Sequence, residues 1–479
     1  MTSILEERVA PPQQEIPQIA SFKRVLKNRK FLLLWLAQLI SLTMFNAANF
    51  GLIVLVNDLT HSVIMAGLAI ISFTLPAVPF GAIAGVMVDR LDKRLVLWIS
   101  NVLRMVTMLL VVVALLYDRT SLWPIYGLFF LTAIIGLFFS PAEGASIPLL
   151  VGERELMPAL SLMNITLTVS QGIGFLLLGR LVATLFPPFT LVLGRFTLDV
   201  QSIDMLFFVV ALFYLVCAGL ILCIPSRAFH EKHIHNRVHA KEATRALESL
   251  WHEVVDGWYI VRSKRLLFFS VIQLSVVGII MLLIGELAGP FVQEVLHRPT
   301  ADMSLILAPA AIGLVGATIL MPRISHRVGK IRLTVIGFIA LAAGFSLLPT
   351  SQWLALHFDP IHGAQSSMLL WTTMILVFFL GIAMACVNIP TQTMMQESCP
   401  EGARGRVFAL QFMLYCAGSI PVLLFAGVIA QFVGLDQFIF LTSASMLLFS
   451  LWGIRLKRLE LKRYPEQSEA ACRGSGTML

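Results

Sequence analysis

Long apolar runs alternate with short polar breaks along almost the whole chain. At 1.5 Å per residue, about 20 helical residues cross the ~30 Å of hydrocarbon in a bilayer. Runs at 31–56, 63–88, 95–117, 123–149, 159–186 and 204–225 reach that length. After a polar stretch, six more follow at 266–292, 303–325, 332–350, 367–396, 407–433 and 436–454. The pattern predicts an all-α polytopic membrane protein with twelve transmembrane helices in two six-helix, pseudo-symmetric bundles. Residues 1–30 read as a tail with a basic, amphipathic lead-in, 31–225 as the first bundle, 226–265 as a linker, 266–454 as the second bundle and 455–479 as a second tail. Within the linker, Leu247, Leu250, Trp251, Val254, Val255 and Trp258 fall at helical spacing and predict an amphipathic helix on the inner membrane surface.

Composition agrees and removes other classes. Hydrophobic residues make up 58% of the chain and charged residues 13%, against roughly 45–50% and 25% in soluble proteins. Of the 35 Lys and Arg, 30 fall in segments on one side of the predicted spans, and only Arg119, Arg195 and Arg298 fall in the loops opposite. Basic loops stay cytoplasmic, so the expectation is a multi-pass protein of the cell membrane with both termini inside. The net charge of +8 therefore serves orientation, and no nucleic-acid motif surrounds it. The first twenty residues lack the apolar core of a signal peptide. The six cysteines form no CxxC pair and imply neither a disulfide framework nor a zinc site. His230, His233, His235 and His239 could share a helix face, but no Cys or carboxylate cluster supports a metal there, and the stretch reads as a solvated linker. No P-loop and no Ser-His-acid set within a span is present, so no cofactor and no enzyme activity are expected.

Ionisable side chains inside spans are costly and so are candidate functional groups. Arg104 lies nine residues into span three and Glu143 six before the end of span four, at depths of roughly 13 and 9 Å. An ion pair between them is expected, either functional or simply holding the bundle. Glu286 in span seven precedes Gly289-Pro290, which can loosen the helix. It is the leading candidate for a proton-coupling or substrate-contacting acid, because a desolvated carboxyl favours its neutral form; the alternative is a hydrated position near the outer mouth. Asn46, Asn49, Gln171, Gln273, Asn388 and Gln392 are neutral candidates that would line a cavity or join helices. The many Phe, Met and Leu residues read as packing or lipid-facing.

Between spans two and three stands Gly85-Val-Met-Val-Asp89-Arg90-Leu-Asp92-Lys93-Arg94. Gly81 and Gly85 form a small-xxx-small face suited to close helix approach. After span eight, His326-Arg327-Val328-Gly329-Lys330 repeats the basic part 237 residues later, and Pro141 of span four returns as Pro390 of span ten. A parallel repeat of this kind suggests two halves around a shared cavity. The loop resembles the signature of the major facilitator superfamily, with Asp92 where a glycine is common. Phe138-Phe139-Ser140-Pro141-Ala142, Pro148, Leu160 and Asn164 are similar to its drug, macrolide-efflux and enterobactin-exporter-like branch, although Gly174-Phe175 replaces the Gly-Pro of exporters in span five.

That resemblance implies gating by Gly85, Asp89, Arg90, Lys93 and Arg94, with Arg327 and Lys330 as the second copy. It implies a monomeric efflux permease for amphipathic small molecules, working by alternating access with protons as the candidate coupling ion. A lysolipid or metabolite facilitator of the same fold, and a non-transporting channel or receptor, are the alternatives. Expected partners are a small-molecule substrate and the lipid bilayer. With the native cysteines replaced, Asp92→Cys is expected to react with a membrane-impermeant maleimide only from the cytoplasmic side; labelling of intact cells from outside would invert the topology.

Overall fold

The computed structural model describes residues 18–193, 196–229, 255–299, 302–358, 367–400 and 404–463. The helices are α1 (Gln18–Lys27), α2 (Arg29–Thr60), α3 (Val63–Thr74), α4 (Ala77–Arg90), α5 (Lys93–Tyr117), α6 (Trp123–Leu150), α7 (Glu153–Leu185) and α8 (Ser202–Leu222). A short helix α9 covers 255–263. Then come α10 (Arg265–Pro290), α11 (Met303–Val328), α12 (Lys330–Phe358), α13 (Ser367–Ser398), α14 (Arg404–Val433) and α15 (Leu435–Arg463). Among the described residues, ten helical segments are long and apolar enough to cross a membrane; α7 and α11 take the two remaining places in the order of twelve.

Local chemistry sets where these helices stop and start. The Asn28 side chain caps α2 by accepting from the Lys30 and Phe31 amides at 3.1 and 3.5 Å, and its Nδ2 donates to the Leu150 carbonyl at 2.7 Å, tying the start of α2 to the end of α6. Asp92 caps α5 by accepting from the Arg94 and Leu95 amides, using two of the unpaired N–H groups of a first turn. The second predicted span is two helices, α3 and α4, separated at Leu75-Pro76, because proline has no N–H to continue the ladder and its ring crowds the preceding turn.

Packing repeats across the two halves. In the first, α5 packs on α6 and α8, and α2 on α7; in the second, α12 packs on α13 and α15, and α10 on α14. The contacts between halves repeat too: α7 meets α11 as α14 meets α3, and α2 meets its own counterpart α10. Backbones come closest where glycine removes the Cβ. A Cβ on Gly313 would run into the Phe378 carbonyl oxygen, and one on Gly381 into that of Ala310, so α11 and α13 touch backbone to backbone. Gly81, expected at such an approach, meets no neighbouring helix among the described residues within 4 Å of where its Cβ would stand. The close contact between halves is made instead one element earlier, by α3.

Two elements differ from the expectation. The connection after α7 holds an antiparallel hairpin, β1 (Phe189–Leu193) paired with β2 (Phe196–Val200); alternating Thr and Val around Gly194-Arg195 was the available signal. The linker helix α9 does not simply lie on the membrane. Val261 is buried with Leu267, Val271, Met395, Val407 and Leu410, and Trp258 stacks edge-on against Phe268 at 6.1 Å, so its apolar side packs on the ends of α10, α13 and α14. Leu247, Leu250, Trp251, Val254 and the four histidines from His230 to His239 lie outside the described residues. The α11–α13 contact predicts that Gly381→Ala destabilises the fold by about 1–3 kcal/mol, seen as a lower thermal unfolding midpoint in detergent, while Gly81→Ala changes it by less than about 0.5 kcal/mol.

Candidate functional site

The halves meet at the end of the bundle where α2 finishes and α3 begins. His61, in a left-handed cap with φ 48°, shares a 3.1 Å hydrogen bond between its Nδ1 and Gln293 Oε1. Gln431 Nε2 donates to Ser62 Oγ at 3.4 Å. A Cβ on Gly427 would stand 3.0 Å from Ile64 Cα, which brings α14 almost onto the backbone of α3. On the α2–α10 side, the Asn57 side chain rests on Gly289, and its Oδ1 is buried without a hydrogen-bond partner. The sequence reading ended span one at residue 56 and so passed over Asn57.

Glu286 lies in this seam. It is fully buried, and neither carboxylate oxygen has a hydrogen-bond partner. A Cβ on Gly67 would stand 2.5 Å from Glu286 Oε1 and 3.3 Å from the Leu423 carbonyl oxygen, so α3, α10 and α14 converge on the acid. In this structure it is buried rather than hydrated. Beyond Pro290 the chain continues as a π turn, Phe291–Val295, a wide winding common at functional sites. The Gly-Pro pair therefore loosens the helix without breaking it.

A second polar cluster lies inside the first half. Arg104 is buried, donates from Nη1 to Ser41 Oγ at 3.0 Å, and Ser41 in turn donates to Asn101 Oδ1 at 3.3 Å. Its guanidinium lies over Phe45, Phe139 and Tyr214, 5.8, 5.2 and 5.6 Å from the ring centres, an environment that suits a planar delocalised cation. The expected ion pair with Glu143 does not form among the described residues: Glu143 is buried, and its Oε1 has no partner. The guanidinium instead reaches α6 at Gly136, whose Cβ would stand 2.6 Å from Nη2. Seven residues of helix, roughly 10 Å, separate that level from Glu143.

The other candidates divide. Asn46 folds back to the Leu42 carbonyl at 3.0 Å and packs on α7, where a Cβ on Gly174 would stand 2.7 Å from its own Cβ. Asn49 and Gln273 are buried, and Gln273 Oε1 is without a partner; Asn388 and Gln392 are half-buried. Gln171 alone of the six lines the cavity, about 140 Å³, that opens among α10, α11, α12 and α13. Its walls include Met281, Phe291, Phe345 and Met384, residues of the kind the sequence reading assigned to packing or lipid. In the loop after α4, Arg94 Nη2 donates to the Leu222 carbonyl at 2.7 Å, Lys330 pairs with Glu397, and Arg327 is exposed. Lys93 is the first residue of α5 and half-buried. The side chains of Gly85, Asp89 and Arg90 lie outside the described residues. Asp204, fully buried, pairs with Arg119 at 2.5 Å, a link between α8 and the loop after α5 that the sequence reading did not single out.

Two six-helix halves in contact through symmetry-related helix pairs are matched by the family comparison: the model of the Major Facilitator Superfamily covers residues 34–423. This chain belongs to that superfamily. Among curated members, it is 24% identical over 398 residues to the uncharacterized MFS-type transporter YfiS of Bacillus subtilis (strain 168), covering 83% of this chain and 86% of that one. It is 27% identical over 152 residues to macrolide efflux protein A of Streptococcus pyogenes, covering 31% and 38%. The crystal structure of nucleoside transporter NupG superposes with a TM-score of 0.65 at 12% identity, over 89% of this chain and 98% of that one, which supports the fold. Gly67→Val is expected to wedge α3 from α10 and α14 and to lengthen the distance between spin labels at Ser62→Cys and Gln431→Cys; an unchanged distance distribution would remove Gly67 from the closure.

Proposed function

We propose that this superfamily member is an efflux permease of the cell membrane, moving amphipathic small molecules by alternating access with protons as the coupling ion. The observation that carries the reading is the seam: the halves touch at one end through two neutral hydrogen bonds and glycine-spaced backbone. Polar links so few and neutral, among the described residues, suit an interface that separates repeatedly. With both termini in the cytoplasm, as the distribution of Lys and Arg favours, that end faces outward, and the conformation is closed outside.

The basic loop residues fit the same state. Arg94 and Lys330 each bond within their own half, to Leu222 and Glu397. A clasp between the inner ends of the halves, formed by Asp89, Arg90 and their basic neighbours, belongs to the opposite state. Glu286 supplies the coupling. It makes no ion pair or hydrogen bond among the described residues, and burying a carboxylate without a partner costs several kcal/mol. Ionisation of Glu286 and closure of the outer seam therefore compete, which links proton release to outward opening. The efflux direction is supported by the likeness to macrolide efflux protein A and by the apolar cavity.

The test is dye efflux in bacteria lacking their own exporters. Expression is expected to lower the accumulation of amphipathic dyes several-fold and a protonophore to abolish the effect. Glu286→Gln is expected to leave exchange of dye across the membrane but remove its dependence on the proton gradient, and Asp89→Asn to slow efflux. Accumulation equal to that in vector-only cells would end the efflux reading, and a full proton dependence retained by Glu286→Gln would end the coupling role.

A further inference from the structure

We infer that the cavity in the C-terminal half is a binding site for the uncharged, apolar body of an amphipathic small molecule, with Gln171 holding its single hydrogen-bonding group at the rim. The inference rests on the efflux reading and names the part of the substrate this half would take. Of the twenty residues that line the cavity, Gln171 is the one with a polar side chain, and none is charged. It is also the one contribution from the first half, reaching across from α7, and it is exposed. The rest of the wall comes from α10 and the π turn after it, α11, α12, α13 and Ile439 of α15.

The chemistry of that wall selects the ligand. A cavity of about 140 Å³ is roughly ten times the space one water needs, yet water there would find almost no hydrogen-bond partner. Such a pocket is poorly hydrated and is filled favourably by hydrocarbon or an aromatic ring. A charged group would lose its hydration with nothing in return, so ions, sugars and phosphorylated compounds are excluded. Small residues, Gly285, Ala288, Ala310 and Ala311, leave the space, while Phe291 and Phe345 offer ring faces. One amide at the rim suits one carbonyl, hydroxyl or ether on the ligand. It fixes orientation without demanding a particular functional group.

A series of 7-alkoxycoumarins, from methoxy to octyloxy, tests this in the full-length protein reconstituted in nanodiscs. These probes are uncharged, fluorescent and differ only in apolar length. Affinity for the wild type, referred to free aqueous probe, is expected to rise about four-fold per methylene and then level off once the cavity is full. Ala311→Phe is expected to move the plateau to shorter chains and Leu314→Ala to longer ones. Gln171→Leu is expected to weaken every member by a similar factor, about five- to ten-fold. A plateau that neither cavity variant moves would overturn the inference, as would a Gln171→Leu variant that binds the whole series like the wild type. If one cavity variant fails to fold, the other decides. Transport of the same coumarins in proteoliposomes separates this from the broader reading. Binding with a movable plateau but no transport keeps the site and removes efflux; transport with a fixed plateau keeps efflux and removes the site.

Discussion

Everything in this arrangement turns on a carboxyl group buried where the two halves meet. Glu286 fits between α3 and α14 only because Gly67 has no side chain and the Leu423 backbone lies just beyond it. The halves share no ion pair at this seam among the described residues, so little else opposes or favours closure strongly. In the proposed cycle, a bias of about 5.5 kcal/mol moves a two-state equilibrium from one extreme to the other. The cost of confining one bare carboxylate is of that order. In that cycle, a single proton at this position is sufficient to act as a switch.

The fold was legible because a bilayer imposes a length. Twelve apolar runs of about the right size and a repeat of the basic loop were visible without coordinates, whereas the break at Pro76 inside the second run was not read from it. Depth along each helix could be counted too, but depth did not give direction. Counting residues put Arg104 level with Glu143, whereas the long Arg104 side chain lies against Gly136 and three rings. Position along an axis fixes where a Cα lies, and a guanidinium can end more than a turn away. Apolar walls were invisible for a related reason. Met281 or Phe345 reads the same in sequence whether it faces lipid, a neighbour or a cavity, since all three are apolar surroundings.

Glycines were the least readable feature and carry much of the geometry. Gly81 looked like a contact and meets nothing, while Gly67, Gly289, Gly313 and Gly381 each admit a partner that a methyl group would exclude. Sequence spacing identifies where close approach is allowed. In this structure α4 carries Gly81 away from the seam that α3 closes.

The cavity and the acid are not independent sites, because they share one stretch of α10. Ile284, Gly285, Leu287 and Ala288 face the cavity, while Glu286 between them faces α3 and α14. A helix segment with a ligand on one side and the seam on the other transmits displacement without any intervening network. Its far end is also compliant: Gly289 rests against Asn57, and the helix widens into a π turn at Phe291–Val295. In the proposed cycle, a bulky body in the cavity would push this segment toward α3, where Gly67 leaves no spare room. Occupancy on one face and closure on the other therefore oppose each other sterically, as ionisation and closure oppose each other electrostatically. In the proposed cycle, substrate and proton need no direct contact to compete: each acts on the same two turns of α10, and the seam responds to whichever is present.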